Sequence, residues 1–585
     1  MRAFAALSCL ACALILAACG AAPPREDANA SFQAHVARVL DEMWQEFPEM
    51  AVRVGNYKYA DRLTVPDAAQ RARSRAFYER QLAALALFDP QTLSASNRVD
   101  LELAKNRFER SRWEIDTFRA WQWQPSRYNV GGDFDLLLTT EYAPLDDRLR
   151  HVLARLDRVP AYYAAAKASI TDPTLEHTDL AIRQNKGALA VFNGSLSKMV
   201  EGSGLSAAEK ALFRQRLDTA RAATEDFIAY LRTLETRLRA GPARNFRIGK
   251  ALYEQKFAYE IQSHFTAEQL YRRALAEKAA HHDAMERLAR RLWPKYLGNA
   301  PMPADRLVMI RAVMDEMAKR HAAREAFVEV VRRQIPELKA FVRTHDLLDQ
   351  DPTRPLIVRE TPLYMRGSGA GASVSAPGPL NPTATTYYNV TPLDAFTPEE
   401  AESLLREYND WTLQILNIHE AIPGHYTQLV HANKSRSLVK SIFANGSMIE
   451  GWAVFGEKMM LDAGYANGSP EIWLSWMKWN LRTVMNTILD YEIQTGNLQR
   501  DDAIRMMARE AFQQTSEATE KWTRATLSQV QLTSYFNGYV EITELRDEMR
   551  ARQGGAFTVK GFNNRFLSYG NAPVRLIREL MLSGK

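Results

Sequence analysis

Residues 417–430 read NIHEAIPGHYTQLV. They bring together His419, Glu420 and His425, residue types that hold a divalent metal and move a proton beside it. The spacing departs from the zinc-helix pattern H-E-x-x-H, whose histidines lie four apart on one face. Here the fourth residue after His419 is Pro423, and the next histidine is His425, six positions on. On an ideal helix, residues six apart are about 240° out of phase and about 9 Å apart along the axis. An unbroken helix would therefore keep the two imidazoles from sharing an ion. Proline cannot donate a hydrogen bond to the carbonyl four residues back, here that of His419. Gly424 allows backbone angles that other residues avoid. A bulge holding two extra residues would restore the effective four-residue spacing. The bland alternative is a chance His-Glu pair before a turn, since a histidine on an apolar helix is more often core than ligand. His431 adds a third histidine six positions after His425.

A metal site of this kind needs a third protein ligand and an open position for water. In glutamate-type zinc peptidases that ligand is a glutamate on a second helix, about 20 to 30 residues on. Glu450 follows His425 by 25 positions, and Glu457 follows Glu450 by seven, on the same helical face. Glu450 is the expected third ligand, and Glu457 the expected acceptor behind a ligand histidine. Solvated helix charges are the alternative, but the surrounding IEGWAVFGEKMM is apolar. Glu420, beside a ligand, is the expected proton acceptor for an attacking water. One zinc ion is the cofactor expected from two histidines and a carboxylate.

Long helices must position these residues. From Ser31 onward apolar residues recur three and four apart, predicting helices at 68–87, 97–121, 145–170, 180–199, 206–240, 266–292, 303–319 and 320–346. The fold class is mostly α, with no internal repeat. Residues 366–382 (RGSGAGASVSAPGPLNP) cannot hold a helix, and residues 385–391 (TTYYNVT) form the best strand candidate. A small β element is therefore expected near residues 384–391. Tyr387, Tyr388 and Asn389 would line the cleft, as an edge strand that holds a substrate backbone. A plain surface insertion is the alternative for the loop.

The 585-residue chain is 46% hydrophobic, enough for a large core, and its net charge of +6 is spread rather than clustered. Nucleic acid is not an expected partner. The start, MRAFAALSCLACALILAACG, has a short apolar run too short for a stable span. Its L-A-A-C ending resembles a bacterial lipobox. That resemblance implies cleavage before Cys19, lipid on its thiol, and, with Gly20 rather than Asp next, the outer membrane of a Gram-negative cell. An ordinary signal peptide cut nearby is the alternative. The three cysteines, Cys9, Cys12 and Cys19, all lie in this segment. A mature domain would then have no thiolate metal site and no cysteine nucleophile. The organisation read from the chain is a lipoprotein signal at 1–18, a lipidated tether at 19–30 and one helical domain at 31–585. Within that domain, 31–346 is an N-terminal helical part and 347–585 carries the metal site.

The ordered motifs resemble a known family. His419-Glu420-Ala421-Ile422-Pro423-Gly424-His425-x-x-Gln428, Glu450-Gly451-Trp452-Ala453, and Arg524 followed by Ser528–Tyr535 and Gly538 are similar to the signatures of the bacterial domain-of-unknown-function family 885. Gln529 and Val530 stand where that family carries Pro and Gly, and Gln494 where many members carry His. The resemblance implies the HE-type zinc metallopeptidase group, with a helical body and deep cleft like thimet oligopeptidase, carboxypeptidase Taq and angiotensin-converting enzyme. It implies Tyr535 or Arg524 as the group that polarises the scissile carbonyl, with Tyr539 a further candidate. Gln531 and Tyr539 would line the substrate site, and Gln428 would stand behind the ligands. The expected function is hydrolysis of short peptides in the periplasm. A non-standard amide or ester substrate, and a metal-binding lipoprotein without turnover, are the alternatives. The absence of a G-x-S-x-G turn speaks against a serine hydrolase.

Overall fold

The computed structural model describes residues 27–361, 372–382 and 385–583. Most of these are helical, as the apolar spacing predicts. Helix α1 (Ala28–Glu46) is capped by the Asp27 side chain and buries Phe32, Leu40, Met43 and Trp44. Helices α2 (Ala68–Leu85) and α3 (Ala95–Trp113) follow. The expected helix at 97–121 breaks earlier, because the chain passes through a π-helical turn at Glu114–Phe118 and Arg119 turns left-handed. Helix α4 (Ala207–Ala240) opens with a capping box between Ser206 and Glu209. Helix α5 (Ala267–Leu297) opens with one between Thr266 and Gln269.

The largest apolar core joins Phe32, Trp44 and Phe108 to Met448, Trp452 and Phe566. Helices from both sides of residue 346 thus share one interior. A second cluster, around Phe134, Leu149, Tyr163 and Phe227, belongs to the N-terminal helices. A third, with Phe246, Leu489, Ala525 and Leu532, supports one wall of the site described below.

The β element is a three-stranded sheet of β1 (Leu356–Glu360), β2 (Ala372–Ser375) and β3 (Thr386–Val390), in the order β1-β3-β2. Strand β1 pairs parallel to β3, with Leu356 opposite Thr386, and β2 pairs antiparallel, with Ala372 opposite Val390. Two expectations change here. The Gly/Ser-rich stretch contributes a strand, since Val374 and its small neighbours extend against β3. Strand β3 is central, not an edge, so both sides of its backbone are taken by neighbours and cannot add a substrate strand. The rest of the stretch at 366–371 lies outside the described residues.

Candidate metal centre

The buried helix α6 (Thr412–Glu420) carries His419 and Glu420 at its C-terminal end, and α7 (His425–Ala432) begins at His425. The expected bulged helix is two helices with a tight joint. The hydrogen-bond ladder shows how they connect. Gly424 N–H donates to Ile418 O (3.0 Å) and Thr427 N–H to Ala421 O (3.4 Å), steps of six residues where a helix takes four. Two extra residues are thus taken up at the joint. Only glycine fits at the joint, because a Cβ on Gly424 would lie 1.8 Å from the His419 carbonyl oxygen. The Trp452 indole donates to Pro423 O (2.8 Å) and pins the joint from below. The outcome is that the His419 and His425 rings face each other at 4.8 Å, nearly perpendicular.

Helix α8 (Gly446–Asp462) supplies both glutamates. It crosses α11 (Ser534–Gln553) at backbone contact, since a Cβ on Gly451 would meet Gly538 at 2.3 Å. This crossing explains the glycine in each motif. It also sets the neighbouring Glu450 of α8 opposite Tyr535 of α11. Glu450 Oε2 lies 3.3 Å from His425 Nε2 and 3.8 Å from His419 Nε2. Ligand atoms about 2.0–2.1 Å from one tetrahedral zinc are roughly 3.3–3.5 Å apart, so the His425 separation matches such an edge and the His419 separation is a few tenths of an ångström longer. His419, Glu420 and His425 form a second possible grouping, with ligand atoms within 4.8 Å of one another. The Glu450 carboxylate lies within 4 Å of both Nε2 atoms, with Glu420 beside them.

Behind His419, Glu457 accepts from Nδ1 at 2.6 Å. Its carboxylate also accepts from the indoles of Trp479 (3.0 Å) and Trp476 (3.1 Å), both on α9 (Pro470–Thr495). A carboxylate behind the imidazole fixes its tautomer and turns Nε2 towards the site. Burial opposes a charge on His419, but the Glu457 hydrogen bond and the charges of Glu457, Glu420 and Glu450 together outweigh it and raise its pKa to about 9. Burial likewise opposes ionisation of Glu450, yet the nearby His425 holds its pKa below the usual range. Burial raises that of Glu420, against the pull of both histidines. His425 Nδ1 is buried with no hydrogen-bond partner, so only one of the two imidazoles has such a buttress.

The opposite wall comes from α10 (Thr515–Leu527) and the turn before α11. Arg524 donates to Gln531 Oε1 (2.8 Å) and Tyr535 Oη (3.2 Å). Burial first and the Glu450 charge second raise the Tyr535 pKa. Val530 sits at φ +72°, a left-handed position, and its N–H is held by Asp490 Oδ2 at 2.7 Å.

Of the remaining expected residues, Tyr388 comes within electrostatic reach of Glu420. Tyr388 is fully buried and donates to Asn417 Oδ1 at 2.7 Å. Asn389 is buried between Arg359 and Ser375 within the sheet. Tyr387 lies under the Arg359 guanidinium at 3.8 Å. Gln428 is buried and donates to Asn571, away from the ligands. His431 bonds Asp349 O (3.0 Å), outside the group. Gln494 is buried and braces α10 through Ala525 O (2.8 Å). Tyr539 is buried within electrostatic reach of Glu457. Sequence reasoning missed Trp476 and Trp479, whose spacing of three reads as helical core, and Asp490, whose role depends on a distant turn.

A family described as bacterial proteins of unknown function (DUF885) matches residues 48–581. No curated protein matches the chain. A solved structure from Shewanella oneidensis, described as a candidate lipoprotein of unknown function, is 50% identical. The alignment covers 94% of this chain and all of that one, with TM-score 0.86. Another candidate lipoprotein, from Colwellia psychrerythraea, shares the fold at 15% identity and TM-score 0.76, covering 94% of this chain and 98% of that one. No helix among the described residues is long and apolar enough to cross a membrane.

Proposed function

The chain belongs to the DUF885 family of bacterial proteins, and on that premise we propose an activity the family description does not supply: zinc-dependent hydrolysis of short peptides. The observation that carries the reading is the convergence of His419 Nε2 and His425 Nε2 on Glu450 Oε2, with Glu420 beside them. When bound, zinc would supply a Lewis acid that brings a coordinated water's pKa towards neutrality. Glu420 takes the proton from the attacking water and passes it to the amine nitrogen as the C–N bond breaks. Tyr535 and Arg524 donate to the carbonyl oxygen as charge collects there. Glu457 keeps His419 oriented throughout. The edge of β2 that no described strand pairs is where an extended substrate backbone would lie, on a strand that packs against α6.

The lipobox-like ending at Cys19, outside the described residues, and the lipoprotein description of the Shewanella relative support an anchor in the cell envelope. A Gram-negative outer membrane, with the domain facing the periplasm, is the location proposed.

The test is a mass-spectrometric digest of a mixed peptide library by wild type and Glu420→Gln, with bound zinc measured in both. Cleavage by wild type alone, with equal zinc, is expected. Zinc bound in both and cleavage in neither would overturn the peptidase reading.

A further inference from the structure

Helix α10 presents Glu517, Lys521 and Arg524 at spacings of four and three, one helical face. Lys521 is only 5% exposed. Among the described residues its ammonium has no hydrogen bond or ion pair. Its electrostatic neighbours are Arg482, Glu517 and Arg524. The lone carboxylate there, Glu517, is already bound to Arg482 at 3.0 Å. Its other oxygen is buried without a partner. Arg482 also faces Glu407 and Arg524 also faces Glu450, so Lys521 is left to share Glu517 with Arg482.

Both flanking arginines reach the metal centre. Arg524 bonds Tyr535 at 3.2 Å and acts electrostatically on Glu450. The Arg482 guanidinium lies 5.1 Å from the Trp479 ring, which is 6.3 Å from His419 and donates to Glu457. A buried amine without a hydrogen-bonded partner is costly, and the carboxylate beside Lys521, Glu517, is already engaged by Arg482.

We propose that Lys521, flanked by Arg482 and Arg524, forms a cationic subsite that takes a carboxylate of the substrate beside the metal centre. This rests on the peptidase reading and narrows it to peptides with a free C-terminal carboxylate or an acidic side chain near the cut bond. Burial pushes the Lys521 pKa well below its usual value, and a bound carboxylate would favour the charged ammonium again.

The test is calorimetric titration of zinc-loaded Glu420→Gln protein with alanine-rich pentapeptides. Four forms are used, with a C-terminal acid or amide and a central Glu or Gln. At least one carboxylate should bind about tenfold tighter than its neutral counterpart. Loss on amidation assigns the terminal carboxylate, and loss on Glu-to-Gln exchange assigns the side chain. Adding Lys521→Met should erase the difference, and Lys521→Arg should recover it. Equal binding of all four forms, no binding of any, or a difference that survives Lys521→Met would overturn the subsite. Wild-type cleavage is scored separately. Carboxylate-dependent binding without cleavage would keep the subsite and sink the peptidase reading, whereas cleavage indifferent to both carboxylates would do the reverse.

Discussion

Lys440 and Lys521 are both buried lysines, 2% and 5% exposed, in opposite circumstances. Lys440 pairs with Asp100 and also donates to Ser96 O (3.1 Å) and Ser96 Oγ (3.0 Å). The Ser437 hydroxyl also donates to the Asp100 carboxylate, 2.8 and 2.9 Å from its two oxygens. That junction ties α3 to the 438–442 helix and is closed by the protein's own groups. Lys521 has no such closure, and neither has His425 Nδ1. Two buried charged regions in one molecule thus differ in where their counter-charge comes from. The first completes itself. The second leaves polar positions that no described side chain fills, which the proposed site requires.

The largest effect should come from breaking the closed region. Lys440→Met strands Asp100 and should cost about 3–5 kcal/mol in chemical denaturation. Lys521→Met should leave the denaturation midpoint unchanged or raise it, since it removes a buried amine without a hydrogen-bonded partner. Equal losses in both variants would erase the contrast. The next effect sharpens the open region. Glu457→Gln should weaken zinc binding about 10- to 100-fold at pH 9, read by chelator competition. It should also change the pH dependence. In the wild type a proton held on His419 up to about pH 9 competes with zinc, so affinity rises with pH until about 9. Without Glu457 that proton leaves earlier, and the rise should level off at a lower pH. The smallest effect concerns the turn beneath Tyr535. Val530→Gly relieves a β-branched residue at φ +72° and should stabilise by roughly 1 kcal/mol, net of glycine's backbone entropy, by the same denaturation measurement.

The candidate ligand residues were legible because histidine and glutamate at those separations have few other uses in an apolar segment. His419, Glu420 and His425 could be named from the motif, and Glu450 and Glu457 from their spacing of seven. The strand at Thr386–Val390 was legible too, from its β-branched and aromatic run. Its place in the sheet was not. Whether a strand is central or at an edge depends on which segments reach it, and β2 comes from a stretch whose composition reads as loop. Tyr388 and Asn389 changed role for that reason.

By itself the sequence determined the local chemistry: helices from apolar periodicity, a joint where proline ends one helix and glycine begins another, and the donor atoms a metal needs. The tertiary structure decided which donors converge. The two-residue insertion turns His425 towards His419 only because Trp452 holds Pro423. Glu450 reaches both imidazoles, with Tyr535 opposite, only because two glycines let α8 and α11 touch. Lys521 is left without a partner only because Glu517 is already held by Arg482, from a helix about forty residues earlier. Periodicity and propensity act over a few neighbouring residues. Convergence and counter-charge are set by distances across the packed interior, and those exist only once the chain has folded.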